Sequence, residues 1–306
     1  MSWQSAFACW VLRRRMRPET AKPVLDVGRA RAYTSRRLWS PPVPKGWQLE
    51  VGANGEWLRS AASRRTILYL HGGGYYFCSP RSHRAISFGL AVRAQANVFS
   101  LDYRLAPEHR FPAAVNDAVA AYRALLADAA PQTIVIAGDS AGGGLALATL
   151  LALRDAGDAL PAGAVLFSPW ADLTGSGASM TSNEGRDPMF HAAVFPKVAA
   201  QYLGDADAAH PYASPLFGDY DGLPPLLIQA ADTELLLDDS TRVAKKARAA
   251  GVRVDLEIWR NVPHIFPIWA PFMPEARQAL AHGARFIDDV TGAPAPHHRL
   301  PMTSIV

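Results

Sequence analysis

At 306 residues with 49% hydrophobic and 19% charged side chains, the chain can bury a sizeable core, which excludes a disordered or fibrous protein. Its net charge of +4 is unevenly placed: residues 1–37 carry nine Lys/Arg against Glu19 and Asp26, a net +7, which leaves the body at −3. A basic arm on a mildly acidic body, with no basic stripe interleaved with aromatics, argues against a nucleic-acid partner and leaves contact of the arm with a membrane surface open.

Within that arm the apolar run Ala6–Leu12 is short, has no cation before it and is followed by Arg13, Arg14 and Arg15. This order is the reverse of a secretory signal. No stretch approaches the roughly 18 apolar residues of a spanning helix. The expectation is a cytoplasmic protein without stable membrane insertion. Cys9 and Cys78 are too few for a disulfide framework and lack metal-ligand spacing. They are expected as buried thiols, with neither metal nor cofactor required.

After the arm (residues 1–45, read as helical), Trp47–Val51 and Glu56–Ser60 form extended segments around Asn54-Gly55, a pair that tolerates a tight hairpin turn. Short runs rich in Val, Ile and Leu follow as strands: Thr66–Leu70, Asn97–Asp102, Thr133–Ala137, Ala164–Ser168, Pro225–Ala230 and Val254–Trp259. Helical patterns alternate with them at Ala114–Leu126, Ala141–Arg154 and Leu237–Ala250, and Pro267–Ala284 supplies a last helix. The alternation predicts an α/β domain over residues 46–290 whose mostly parallel sheet is covered by helices on both faces. Residues 170–222, with Gly, Ser, Asp and Pro clusters around a helix near Ala192–Leu203, break the rhythm and read as an inserted cap. Residues 291–306 read as a disordered tail.

Two motifs carry chemistry. The run from Ile134 to Gly142 leads a buried strand into the turn Gly138-x-Ser140-x-Gly142 and then a helix, the strand–turn–helix of a nucleophile elbow. Upstream, strand Thr66–Leu70 runs into His71-Gly72-Gly73-Gly74, three glycines whose backbone N–H groups stay free to face an oxyanion. The Lys-Ser/Thr of a phosphate loop and the spacing of a dinucleotide fingerprint are both absent. A serine hydroxyl needs a general base, and the base needs an acid to fix its tautomer. His264 follows strand Val254–Trp259 at its carboxyl end. His191 and His210 fall in the insertion, His282 on the last helix, and His297 and His298 in the tail. Carboxylates available after strand Pro225–Ala230 are Asp232, Glu234, Asp238 and Asp239.

The pair HGGG and GDSAGG, with Asp102–His109 between them, resembles the hormone-sensitive-lipase family of bacterial esterases over roughly residues 45–290. The resemblance implies the α/β-hydrolase fold, a small helical cap built partly by the arm, and Gly73, Gly74 and the N–H of Ala141 as the oxyanion hole. In it His71 and Gly72 shape that loop and Asp102–His109 is structural. Aligning Leu236 and Asp238 to the family pattern puts Glu234 at the place of the catalytic acid, where the family usually has Asp. Asp232 is the alternative. Ile265 also departs, standing where the family usually has Gly.

The function expected is a serine carboxylesterase acting on short- to medium-chain esters of small molecules through an acyl-enzyme, with a possible homodimer. The alternatives are a lactone hydrolase or amide deacylase with the same triad, or a non-catalytic binding protein on this scaffold. The aromatics Trp3, Phe7, Trp10, Phe190, Phe195 and Tyr202 are expected near the site, equally as cap core or as substrate contacts.

Overall fold

The computed structural model describes residues 1–37 and 40–292; the tail expected at 291–306 falls almost wholly outside them. Eight strands form in chain order: β1 (Gln48–Gly52), β2 (Gly55–Arg59), β3 (Arg65–Leu70), β4 (Ala96–Leu101), β5 (Ile134–Asp139), β6 (Gly163–Phe167), β7 (Leu226–Ala231) and β8 (Val254–Trp259). They make one sheet in the order β1-β2-β4-β3-β5-β6-β7-β8. The hairpin at Asn54-Gly55 sets β1 against β2 antiparallel, and β2 meets β4 the same way. From β4 onward every pair is parallel.

Ten α-helices accompany the strands among the described residues: α1 (Trp3–Arg15), α2 (Arg17–Thr20), α3 (Val27–Arg37), α4 (Arg84–Ala94), α5 (Ala113–Leu125), α6 (Ala141–Asp155), α7 (Ser179–Ser182), α8 (Phe195–Leu203), α9 (Leu237–Ala249) and α10 (Pro274–Val290). Parallel neighbours need crossovers, and the crossovers put helices on both faces. Alternation along the strands then divides the core in two. Ile134, Ile136, Leu166 and Ile228 join the layer that holds α5, α6 and α9 residues, whereas Val135, Val165, Phe167 and Leu227 join the layer of α4 and α10.

Two elements differ from expectation. The sequence RAISFGLAVRA of α4 buries Ile86, Ser87, Phe88, Leu90, Ala91 and Ala94, so its apolar positions wrap most of the helix and leave no clear period. The last helix begins seven residues later than expected, because Phe266–Trp269 closes a separate 3-10 turn and Pro274 then opens α10 at the position where a missing N–H costs nothing.

Residues 3–37 hold the three helices α1, α2 and α3. The first two bond to the segment between β6 and β7: Arg17 pairs with Glu184 at 2.6 Å, Arg13 donates to the carbonyls of Gly185 and Arg186, and the His191 N–H donates to Thr20 Oγ1. Cys9 and Cys78 form no disulfide and are half-buried rather than buried as expected.

The central strands predict where volume matters. Leu166→Ala, at a fully buried position of β6, is expected to lower stability by about 2–5 kcal/mol. Val51→Ala on the exposed edge strand β1 is expected to stay within about 0.5 kcal/mol of the parent in the same urea titration.

Candidate active site

The carboxyl ends of β3, β5, β7 and β8 converge on one place. At the tip of β5, Ser140 has φ 52° and ψ −122°, a conformation L-residues seldom adopt and one that turns the chain sharply from strand into α6. Three backbone bonds fix the turn: Ser140 N–H donates to Phe167 O, and Ser140 O accepts from Trp170 and Gly144 N–H, at 2.9–3.0 Å. The turn brings Gly142 so near β3 that a Cβ there would stand 2.0 Å from Leu70 O, which is why a glycine follows the serine at that spacing.

His264 lies in the loop after β8, buried, with Nε2 2.9 Å from Ser140 Oγ and Nδ1 2.6 Å from Glu234 Oε2. A carboxylate only accepts, so Nδ1 carries the proton and Nε2 is left to accept from the serine hydroxyl. Glu234 is fully buried at the end of β7, and its second oxygen accepts from Ala231 N–H at 2.9 Å. Ser140, His264 and Glu234 therefore form one continuous hydrogen-bonded chain.

The neighbouring carboxylates are engaged elsewhere. Asp232 accepts from Asn261 N–H, Asp238 from Ser179 N–H, and the buried Asp239 from Ala171 and Asp172 N–H. None is a merely solvated group. Of the other histidines, His191 pairs with Glu184 and His282 with Glu257, and His210 packs on Phe111 and Tyr212; His297 and His298 lie outside the described residues.

Across from the serine, the loop after β3 carries Gly73 at φ 117° and Gly74 at φ 57°, backbone open only to glycine without strain at the first. Among the described residues the N–H groups of Gly73, Gly74 and Ala141 donate to no protein acceptor. His71 is buried behind the loop, its Nδ1 2.7 Å from Gly72 O and its ring stacked on Tyr103 at 4.4 Å. Burial, with His83 nearby, lowers its pKa to about 3, so the ring is neutral. Tyr103, from the Asp102–His109 segment, donates to His71 O.

Two further carboxylates hold the site together: Asp139, inside the GDSAGG run, and Asp187, outside both motifs. Asp139, beside the serine, accepts from Tyr69 OH at 2.5 Å and from Gly72 N–H at 3.1 Å, and His83 Nε2 lies 3.1 Å away. Its burial pushes its pKa up, but His83 and these hydrogen bonds outweigh that and hold it low. It thus ties the glycine loop to the elbow strand. Asp187, also buried, accepts from Leu235 N–H next to Glu234 and from Met189 and Phe190 N–H, and Phe190 meets the His264 ring edge-on at 5.1 Å. The signal for Asp187 was Asp187-Pro188, a turn former whose carboxylate bonds backbone two or three residues on. Asn183 completes the clamp by donating to Glu234 O.

Of the aromatics expected near the pockets, Phe190 reaches the site. Phe195 and Tyr202 are buried in the same core layer as Ile136 and Leu166, Tyr202 stacking on Tyr75 at 3.8 Å. Trp3, Phe7 and Trp10 point into solvent instead, because the small residues Ser5 and Ala8 face the body. Ile265 has φ 47° and ψ 37°, left-handed backbone that its β-branched side chain disfavours. Its N–H faces Ser168 Oγ at 3.3 Å.

A parallel sheet with an elbow serine at the tip of a central strand, and a histidine and a carboxylate after the last two strands, is the architecture of an α/β hydrolase. A family model described as the alpha/beta hydrolase fold matches residues 67–268. An acetyl-hydrolase of Streptomyces hygroscopicus is 47% identical over 253 residues, 82% of this chain and 85% of that one. A solved structure of an esterase from the bacterial hormone-sensitive lipase family has a TM-score of 0.88 at 41% identity, covering 95% of this chain and 99% of that chain. Another, of EstE5 soaked with p-nitrophenyl butyrate, has a TM-score of 0.89 at 40% identity, covering 96% and 100%. The chain belongs to the hormone-sensitive-lipase family of α/β hydrolases.

The neutral, buried His71 gives a pH dependence. Its imidazole titrates near 3 in the folded protein and near 6.5 when unfolded, so between those values the unfolded state binds the extra proton and stability falls as the pH falls. About 3 kcal/mol should be lost from this group between pH 7 and pH 4.5. Urea midpoints of the parent and His71→Gln across that range are expected to show a shallower slope in the variant.

Proposed function

We propose that the chain is a serine carboxylesterase hydrolysing short- to medium-chain esters of small molecules, with Ser140 as nucleophile, His264 as general base and acid, and Glu234 as the carboxylate that orients the histidine. The observation that carries this reading is the hydrogen-bonded chain from Ser140 Oγ through His264 to Glu234, with the N–H groups of Gly73, Gly74 and Ala141 free of acceptors among the described residues.

In this mechanism Ser140 Oγ attacks the ester carbonyl as His264 Nε2 takes its proton, and Glu234 stabilises the imidazolium. The N–H groups of Gly73, Gly74 and Ala141 hold the oxyanion of the tetrahedral intermediate, each worth on the order of 3 kcal/mol in the transition state. His264 then protonates the departing alcohol, leaving Ser140 acylated. Water, deprotonated by the same histidine, attacks the acyl carbon and releases the acid. All charge movement is met by side chains and backbone of the chain itself. Asp139 and Asp187 act through others: one sets the glycine loop against the elbow, the other sets the segment of Glu234.

The arm and residues 170–222 form a cap on the 46–290 domain in this reading, supported by the bonds of Arg13 and Arg17 to residues 184–186. The short-chain preference draws on the relative named an acetyl-hydrolase and the butyrate-soaked neighbour. The cytoplasmic setting rests on the two free thiols, and assembly as a homodimer on the open sheet edge at β8. Among the described residues no helix is long and apolar enough to cross a membrane.

Hydrolysis of p-nitrophenyl esters from acetate to palmitate tests the reading. Activity is expected to peak at the short esters and to drop by at least about four orders of magnitude in Ser140→Ala. A folded parent inactive on every ester, yet turning over matched lactones or amides, would move the assignment to those bonds. Inactivity on all three would leave a binding role.

The choice of acid has its own test. Glu234→Gln is expected to lower kcat by about 10³–10⁴-fold through loss of the correct tautomer. Asp232→Asn should cost less than about tenfold. The reverse pattern would make Asp232 the acid.

A further inference from the structure

Helix α1 turns its small side chains inward and its large ones outward. Ser5, Ala8 and Leu12 are buried against the body, and Ser5 Oγ donates to Asn261 O at 2.7 Å. Ser2 caps the helix and bonds Glu275 through both its N–H and its hydroxyl, so the helix is firmly held. On the opposite side Trp3, Phe7 and Trp10 are 75%, 56% and 51% exposed. Spacings of four and three place them on one stripe. The rings of Phe7 and Trp10 stack at 5.9 Å, and the Arg14 guanidinium lies 5.1 Å over Trp10.

Aromatic side chains offer ~150–250 Å² each, so at these exposures the three leave roughly 350 Å² of apolar surface in water. That is the size at which the largest apolar patch of a monomer is often functional. No acidic residue occurs in α1. Arg13 donates to uncharged carbonyls, and among the described residues Arg14 and Arg15 have no ion-pair partner. The aromatic stripe therefore ends in three cations that no carboxylate neutralises.

We propose that this face of α1 is a peripheral docking surface for a bilayer rich in anionic phospholipid. Trp3, Phe7 and Trp10 enter the boundary between headgroups and acyl chains, where amphipathic aromatic rings are favoured, and Arg14 and Arg15 meet the phosphates. Charge selects this occupant over a second copy of the chain, which would bring an equal cluster of arginines to the contact. The helix lies on the surface and does not cross it. Asn261, to which Ser5 is bonded, stands three residues before His264, so docking sets the membrane beside the shell of the active site. Docking goes beyond the ester-hydrolysis reading and does not depend on it.

The test is cosedimentation of the full chain with vesicles of phosphatidylglycerol and phosphatidylcholine, and with phosphatidylcholine alone, for the parent, W3Q/F7Q/W10Q and R14Q/R15Q. The parent should bind the anionic vesicles, with its tryptophan emission shifted to the blue, and release them at high salt. With about fivefold per cation, R14Q/R15Q should bind about 25-fold more weakly. W3Q/F7Q/W10Q should lose at least tenfold. Turnover of a water-soluble ester should be unchanged in both variants, which separates a failure of docking from a failure of catalysis. Equal partitioning of the parent to both vesicle types, or parent-like binding by the variants, would overturn the proposal. So would a parent dimer in sedimentation equilibrium that W3Q/F7Q/W10Q dissociates, since the face would then belong to a second copy.

Discussion

A serine at the end of a buried strand reaches substrate only if the chain reverses within a single residue, and that reversal constrains everything around β5. It forces a positive φ on Ser140, and it drives the start of α6 against the backbone of β3, where Gly142 leaves no room for a side chain. The strain is held by packing on both faces: β5 is buried along its whole length and runs between β3 and β6. Asp139, adjacent to the serine, adds the polar part of the restraint. One buried carboxylate accepts from Tyr69 and from Gly72, so the strand that ends in the serine and the loop that faces it move as a unit. Preorganised N–H groups are effective because they need not reorient as charge develops.

The second half of the site depends on the segment between β6 and β7. Asn183 and Asp187 bond the two ends of the peptide unit that follows Glu234, its carbonyl and the Leu235 N–H, and Asp187 also accepts from Phe190 N–H, whose ring meets His264. Residues 183–190 thus carry part of the restraint on Glu234. Glutamate in place of the family's usual aspartate fits this arrangement: the longer side chain starts from a fully buried backbone and still accepts from both Ala231 N–H and the imidazole.

Most of the frame was legible in the residues. Six short Val/Ile/Leu runs and the extended pair around Asn54-Gly55 gave the eight strands, since a central strand buried on both faces must be apolar, and the glycines of HGGG and GDSAGG marked where backbone approaches backbone. Ser140 was marked by the elbow motif, His264 by chain order along the sheet, and Glu234 only by the family resemblance, with Asp232 as the alternative. What was hidden were interactions whose partners lie far apart in sequence. Asp187 and Leu235 are 48 residues apart, and Asp139 meets Tyr69 across 70. Helix α4 was hidden for another reason: a helix apolar over most of its surface has no period to read. The outward aromatics of α1 were misplaced because hydrophobic residues in an arm suggest burial, whereas Ser5 and Ala8 make the closer-fitting inner face.

Ser140 is one of the hydrogen-bonded pair and Ile265 adjoins the other, His264, and both have positive-φ backbone that no glycine relieves. Conformations of this kind persist only while their surroundings over-determine them. A small loosening of the core, too slight to melt any strand, therefore lets these two residues relax first and pulls hydroxyl and imidazole out of line. In a heating experiment, catalytic competence becomes the finer thermometer of this fold, and it fades while the backbone ellipticity is still that of the native sheet.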